Sequence, residues 1–71
     1  MDKIIAKVHN VRENNEVTVF VSKGKSVIAS KCFDYDCDQG PSWKRKHEAI
    51  AMRDATAFAE SFNPDTISVL A

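Results

Sequence analysis

Glycine, proline and cysteine each occur only twice in this chain of 71 residues. With only Gly24 and Gly40, the chain has no glycine-rich loop to cradle phosphate. Two cysteines, Cys32 and Cys37, cannot build a dense disulfide framework. Five positions apart on an extended segment, they are also too distant to bridge each other, so two free thiols in a reducing compartment are expected. No apolar run is long enough for a transmembrane helix, and the opening MDKIIAKVHN lacks the apolar centre of a signal peptide. Charge of one sign is missing as well: ten basic and ten acidic residues give a net charge of zero. That argues against a general nucleic-acid coat protein, which carries a strong basic surplus, but it allows a local basic patch. Length is the last shortage. A chain of this size buries only about 60% of its unfolded surface, and a deep cleft above a supporting core does not fit. The expectation is a complete, single-domain, cytoplasmic protein that starts at Met1, spans no membrane, needs no cofactor and is not an enzyme.

What is present belongs to a folded domain: 44% hydrophobic and 28% charged residues lie well away from the composition of disorder. Ile4 to Val11 alternates, with Ile4, Ala6 and Val8 on one face and Ile5, Lys7, His9 and Val11 on the other. Asn14-Asn15 suits a hairpin tip, because Asn tolerates positive φ. Val17 to Ser22 is dense in β-branched residues, and Val17, Val19 and Val21 share a face. After the turn at Lys23-Gly24-Lys25, Ser26 to Phe33 reads as a third strand and Asp34 to Pro41 as a loop. Ser42 is the expected N-cap of a helix running to about Phe62. Ala51, Ala55, Phe58 and Phe62 line its apolar face, with His47 at the rim. Pro64 ends the helix by disfavouring helical geometry at Asn63, and Thr66 to Leu70 makes a last strand. The fold class is α+β, a four-stranded sheet in the order β-β-β-α-β with a single helix packed on one face. A right-handed crossover puts the last strand beside the first. The opposite face then displays Ile5, Val11, Phe20 and Ile28, a candidate surface for a homodimer.

The segment from Cys32 to Glu48 carries the candidate chemistry. Asp34, Asp36 and Asp38 alternate with Phe33, Tyr35 and Cys37, and Lys44, Arg45 and Lys46 follow at the helix start. Bases oppose the partial positive charge of a helix N-terminus, so their presence there points to a binding surface, with Arg12, Lys23 and Lys25 able to add charge. Their amide-rich surroundings suit phosphate or an acidic partner. The bland alternative is mutual neutralisation by Asp34, Asp36, Asp38 and Glu48, the last spaced for helical pairs with Lys44 and Arg45. Cys32, Cys37, His9 and His47 could be drawn as zinc ligands, but the second close pair that such sites use is missing. Cys32 is better read as a small buried residue. The aspartates lack the glycine and the terminal acid of a calcium loop, so no metal is expected. Partner contacts are expected at Asp34, Tyr35, Asp36, Asp38, Trp43, Lys44, Arg45 and Lys46, with Tyr35 and Trp43 as aromatic anchors.

In size, strand order and segregated charge, the chain resembles small accessory proteins of phages and mobile elements, of the anti-CRISPR type that inhibits host defences. The resemblance implies a non-enzymatic inhibitor that binds a host protein or protein–nucleic-acid complex, such as a defence nuclease or surveillance complex. The alternatives are a small nucleic-acid-binding protein using the basic helix start, which the nearby aspartates disfavour, and a homodimeric interaction protein.

Overall fold

The structure, a computed structural model, describes residues 2–35 and 40–70. Three antiparallel strands, β1 (Ile4–Val11), β2 (Glu16–Lys23) and β3 (Ser26–Asp34), are followed by the helix α1 (Pro41–Glu60) and by β4 (Thr66–Leu70). The sheet order is β3-β2-β1-β4, and β4 runs parallel to β1. This is the four-stranded α+β sheet with one helix that the sequence pattern predicts. Asp65 fixes the crossover: its carboxylate accepts from the Ile4 amide at 2.8 Å and its own amide donates to the Ile4 carbonyl at 2.7 Å. The start of β1 is thereby tied to the start of β4.

The connections follow from residues that tolerate positive φ. Gly24, at φ 62°, opens the two-residue loop between β2 and β3, the position where a type II′ turn requires glycine. The β1–β2 link is a short 3-10 turn at Arg12–Asn14, closed by Asn15 in the left-handed region rather than by an Asn14-Asn15 hairpin tip. The cap of α1 is Gly40, at φ 102°, with Pro41 in the first helical turn and no capping side chain. Ser42 therefore lies inside the helix, because Pro41 already supplies the fixed φ that suits a first helical position. At the other end the helix stops at Glu60 with its cap at Ser61, two residues before Phe62, and Asn63 turns left-handed at φ 51° ahead of Pro64.

One face of the sheet packs against the helix. Ala6, Val8, Val17, Val19 and Val21 are buried against Ala51, Ala55 and Ala59. The alanines recur every fourth residue, so the helix backbone comes close to the sheet. Around this small-residue seam Phe58 meets Phe33 and Phe62 edge-on at centroid distances of 6.2 and 5.3 Å. Lys31, whose partner across β2 is Val19, holds its ammonium 5.0 Å from the Phe33 ring and 5.5 Å from that of Phe58, so its stem and charge cap the aromatic group. Val69 shares the face of its partner Val8 but is half exposed, since β4 is an edge strand beyond the helix.

Candidate functional site

Tyr35 is not a surface anchor. It continues β3 past Asp34, its amide donates to the Asn15 carbonyl at 2.9 Å, and its ring is buried. Its hydroxyl donates to Oδ1 of Asn10 at 2.8 Å and lies 3.3 Å from Oε2 of Glu48. Asn10 is the polar residue on the core face of β1, and its Nδ2 donates to the same Glu48 oxygen at 2.7 Å. Arg12 adds a salt bridge to that oxygen at 3.5 Å. A single carboxylate oxygen thus faces Asn10, Tyr35 and Arg12 from three different segments. The hydrogen bond from Asn10 is the main cause that holds the Glu48 carboxyl below its ordinary value, against the opposing effect of burial, and Tyr35, Arg12 and Lys44 reinforce it. Burial, then the nearby Glu48 charge, pushes the Tyr35 phenol up. Pattern reading overlooked Asn10. The signal was there, because a polar residue following Ala6 and Val8 on an apolar face must find a partner.

Above this network the basic helix start opens outward. Arg12, Pro41, Lys44, Arg45 and Glu48 line an open hollow of about 430 Å³. No acid occupies the first turn of α1, and the described salt bridges are Arg12–Glu48 and Arg53–Asp54, so Lys44, Arg45 and Lys46 form none with a described residue. Trp43 stacks on His47 with ring centroids 4.4 Å apart, and the Lys46 ammonium lies 6.0 Å from the Trp43 ring. The indole stays partly exposed beside the bases. Glu48 is directed to Asn10, Tyr35 and Arg12 rather than serving only as a helical partner of Lys44 and Arg45.

Asp34 is separate from this site. Asp34 pairs across the sheet with Glu16 and so lies on the face away from α1, since Val17 beside Glu16 points into the core. It therefore does not neutralise the helix start. Asp36, Asp38 and Cys37 lie outside the described residues. Cys32 is exposed, not buried, because its strand position faces away from the helix. Its thiol donates to Glu16 at 3.2 Å, and this bond, with lesser contributions from burial and from the charges of Glu16 and Asp34, raises its pKa. Ligand atoms of Glu16, Cys32 and Asp34 come within 4.8 Å of one another. The sequence-drawn zinc set is split instead: His9 and Cys32 lie on the open face, while His47 stacks on Trp43 along the helix.

The proposed dimer residues Ile5, Val11 and Phe20 do share the open face, with Ile5 and Val11 half-buried and Phe20 48% exposed. A bulge between Val21 and Ser22 leaves Ile28 without a partner in β2 and pairs Val27 with Ser22. This bulge brings Val27 to the open face as well, against the simple alternation.

No protein-family model matches this chain, and no curated protein or solved structure does either. Among the described residues, no helix is long and apolar enough to cross a membrane.

Proposed function

We propose that the protein is a non-enzymatic binding module whose basic helix start docks on an acidic surface of a protein partner. One observation carries this reading. Lys44, Arg45 and Lys46 occupy a helix start with no acid in its first turn and no capping side chain, and none is spent on a described salt bridge. With the cap at Gly40, Lys44 ends the first turn and Arg45 and Lys46 follow it; a base in the first turn works against the helix dipole, so a local stability cost at Lys44 is accepted where an anionic partner would offset it. Trp43 supplies a rigid aromatic surface beside the charges, and aromatic and basic side chains together make effective contact residues. The likeness in layout to small phage-encoded inhibitors suggests the partner class, a host defence nuclease or surveillance complex in the cytoplasm. The contact set is Trp43, Lys44, Arg45 and Lys46, with Arg12 at the rim.

The hollow between Arg12, Lys44 and Arg45 favours a second reading, in which the anion is nucleic-acid phosphate. Salt separates the two, since affinity for phosphate falls steeply as salt rises. The decisive comparison uses the wild type and a K44E/R45E/K46E variant as baits in host lysate, alongside gel shifts at low and moderate salt. Loss of one captured protein in the variant, with no DNA or RNA shift at low salt, supports the protein partner. An unchanged set of captured proteins overturns it, and a tight, salt-sensitive gel shift replaces it with the second reading.

A further inference from the structure

The hollow beside the helix start is more specific than a patch of positive charge. Arg12 comes from the 3-10 turn after β1, whereas Lys44 and Arg45 come from α1, so two separate elements supply its cations. Arg12 is also held in place. Its Nε lies 3.5 Å from Oε2 of Glu48. That oxygen accepts from Nδ2 of Asn10 at 2.7 Å and faces the Tyr35 hydroxyl at 3.3 Å. Asn10 and Tyr35 are buried, at 6% and 5% exposure, so the core fixes the carboxylate and the carboxylate fixes one edge of the guanidinium. Spending Nε on Glu48 leaves both terminal Nη groups of Arg12 without a described partner. A guanidinium held in this way offers its planar fork to a second oxygen-rich group.

We infer that the hollow takes a phosphate monoester, carried on a phosphorylated side chain of the partner protein. This rests on the reading of the helix start as a docking site for an acidic protein surface, and it names the group that docks. Charge selects that group. Arg12, Lys44 and Arg45 against Glu48 leave two positive charges unmatched among the described lining residues. A carboxylate brings one negative charge and two oxygens. A phosphate monoester brings close to two charges and three acceptor oxygens, one for each cation. Neither Lys44 nor Arg45 is engaged in a described salt bridge, so both can turn to it. Glu48 presents its Oε2 to Asn10, Tyr35 and Arg12, and this spreads the one negative charge at the rim. Phosphodiesters match less well. Each carries a single charge, and a strand of them is tracked by cations spaced along a groove, whereas these three gather at one hollow. Clusters of arginine around one phosphate are a recurrent means of reading phosphorylated segments.

Titration of the isotope-labelled protein with short alanine peptides that carry phosphoserine, glutamate or serine at the centre tests this. At about pH 7.5 the monoester is mostly dianionic, because its second pKa is about 6. The phosphoserine peptide should bind at least about tenfold more tightly than the glutamate peptide, through charge-assisted bonds to more oxygens, and should shift the Nε–H resonance of Arg12. Arg12→Lys keeps the charge but loses the fork, and should weaken the phosphoserine peptide about tenfold. Lys7→Gln removes a charge on the sheet face away from α1 and should change nothing.

No binding at millimolar phosphoserine peptide overturns the inference. So does equal affinity for the glutamate peptide, or an Arg12→Lys protein that binds as well as the wild type. Orthophosphate, vesicles containing phosphatidate and an oligonucleotide without a terminal phosphate are titrated at the same ionic strength. Tighter binding of any of these than of the phosphoserine peptide also overturns it, and assigns the hollow to a free ion, a membrane or nucleic acid instead. The lysate comparison with the K44E/R45E/K46E variant stands or falls independently of the peptides, so failure of the docking reading is told apart from failure of this one.

Discussion

The Tyr35 hydroxyl donates to Oδ1 of Asn10 at 2.8 Å inside the protein, joining the end of β3 to the core face of β1. Among the described residues every buried side-chain N or O atom has a partner, and this bond is the reason that Asn10 can sit beside Val8. Tyr35→Phe keeps the ring and leaves the Asn10 oxygen without its donor. The expected cost is about 1–3 kcal/mol, read from urea unfolding. A double-mutant cycle with Asn10→Ala should show a coupling of at least about 0.5 kcal/mol. Additive losses would show that the pair does not act as a unit.

The same network sets a pH dependence. Hydrogen bonding from Asn10 lowers the Glu48 pKa. A depressed carboxylate contributes stability that is present above its unfolded value, about 4.3, and lost as pH falls through the folded value. Tyr35 has the opposite sense. Its pKa is raised, chiefly by burial, so its contribution is complete below about 10 and disappears as pH rises through the folded value. Between these limits the two groups leave stability flat. Urea midpoints of the wild type should fall between pH 5 and pH 2.5, a span chosen to bracket the carboxylate range. Glu48→Gln should start lower at pH 7 and fall less steeply. An acid limb equally steep in both proteins would remove Glu48 as its cause.

The strands and helix were legible because alternation and four-residue spacing are direct consequences of a sheet packed on one helix. Val17, Val19 and Val21 announce a buried face, and Ala51 and Ala55 the helix that covers it. Tyr35 was misread because the run of aspartates looked like a loop. The alternation inward at Phe33 and outward at Asp34 in fact continues inward at Tyr35. Asn10 and Tyr35 both needed a partner, but their meeting depends on the pairing of β1, β2 and β3, which no local pattern specifies. The shift that places Val27 on the open face is a bulge, and it too arises from pairing. The basic helix start was visible directly, since Lys44, Arg45 and Lys46 follow Pro41 so closely.

The aromatic group at the far end of the helix gives a test of packing. Phe58 touches Phe33 and Phe62 and lies beneath the Lys31 ammonium, yet it is only partly buried. Buried Phe→Ala changes cost about 3–5 kcal/mol, and a half-buried ring falls below that range, at about 2–3 kcal/mol. Thermal and urea unfolding of Phe58→Ala should show this loss. Lys31→Met should be nearly neutral, because the stem packing survives and only an exposed cation–π contact of about 0.5–1 kcal/mol is lost. A near-native melting temperature for Phe58→Ala would mean that the phenyl rings contribute little to closing the helix onto the sheet.

Ser42→Asp separates stability from binding. Ser42 is exposed within the first turn of α1, where no acid and no capping side chain is present. A carboxylate there interacts favourably with the helix N-terminus, worth about 0.3–1 kcal/mol, so the variant should unfold at higher urea concentration than the wild type. The same carboxylate lies beside Trp43, Lys44 and Arg45 and reduces the positive potential that an acidic partner meets. Partner capture should therefore weaken as stability rises, and more so at low salt, where charges are least screened. If a more stable Ser42→Asp protein captured its partner undiminished, the helix start would not be the contact surface, and its three bases would need another explanation.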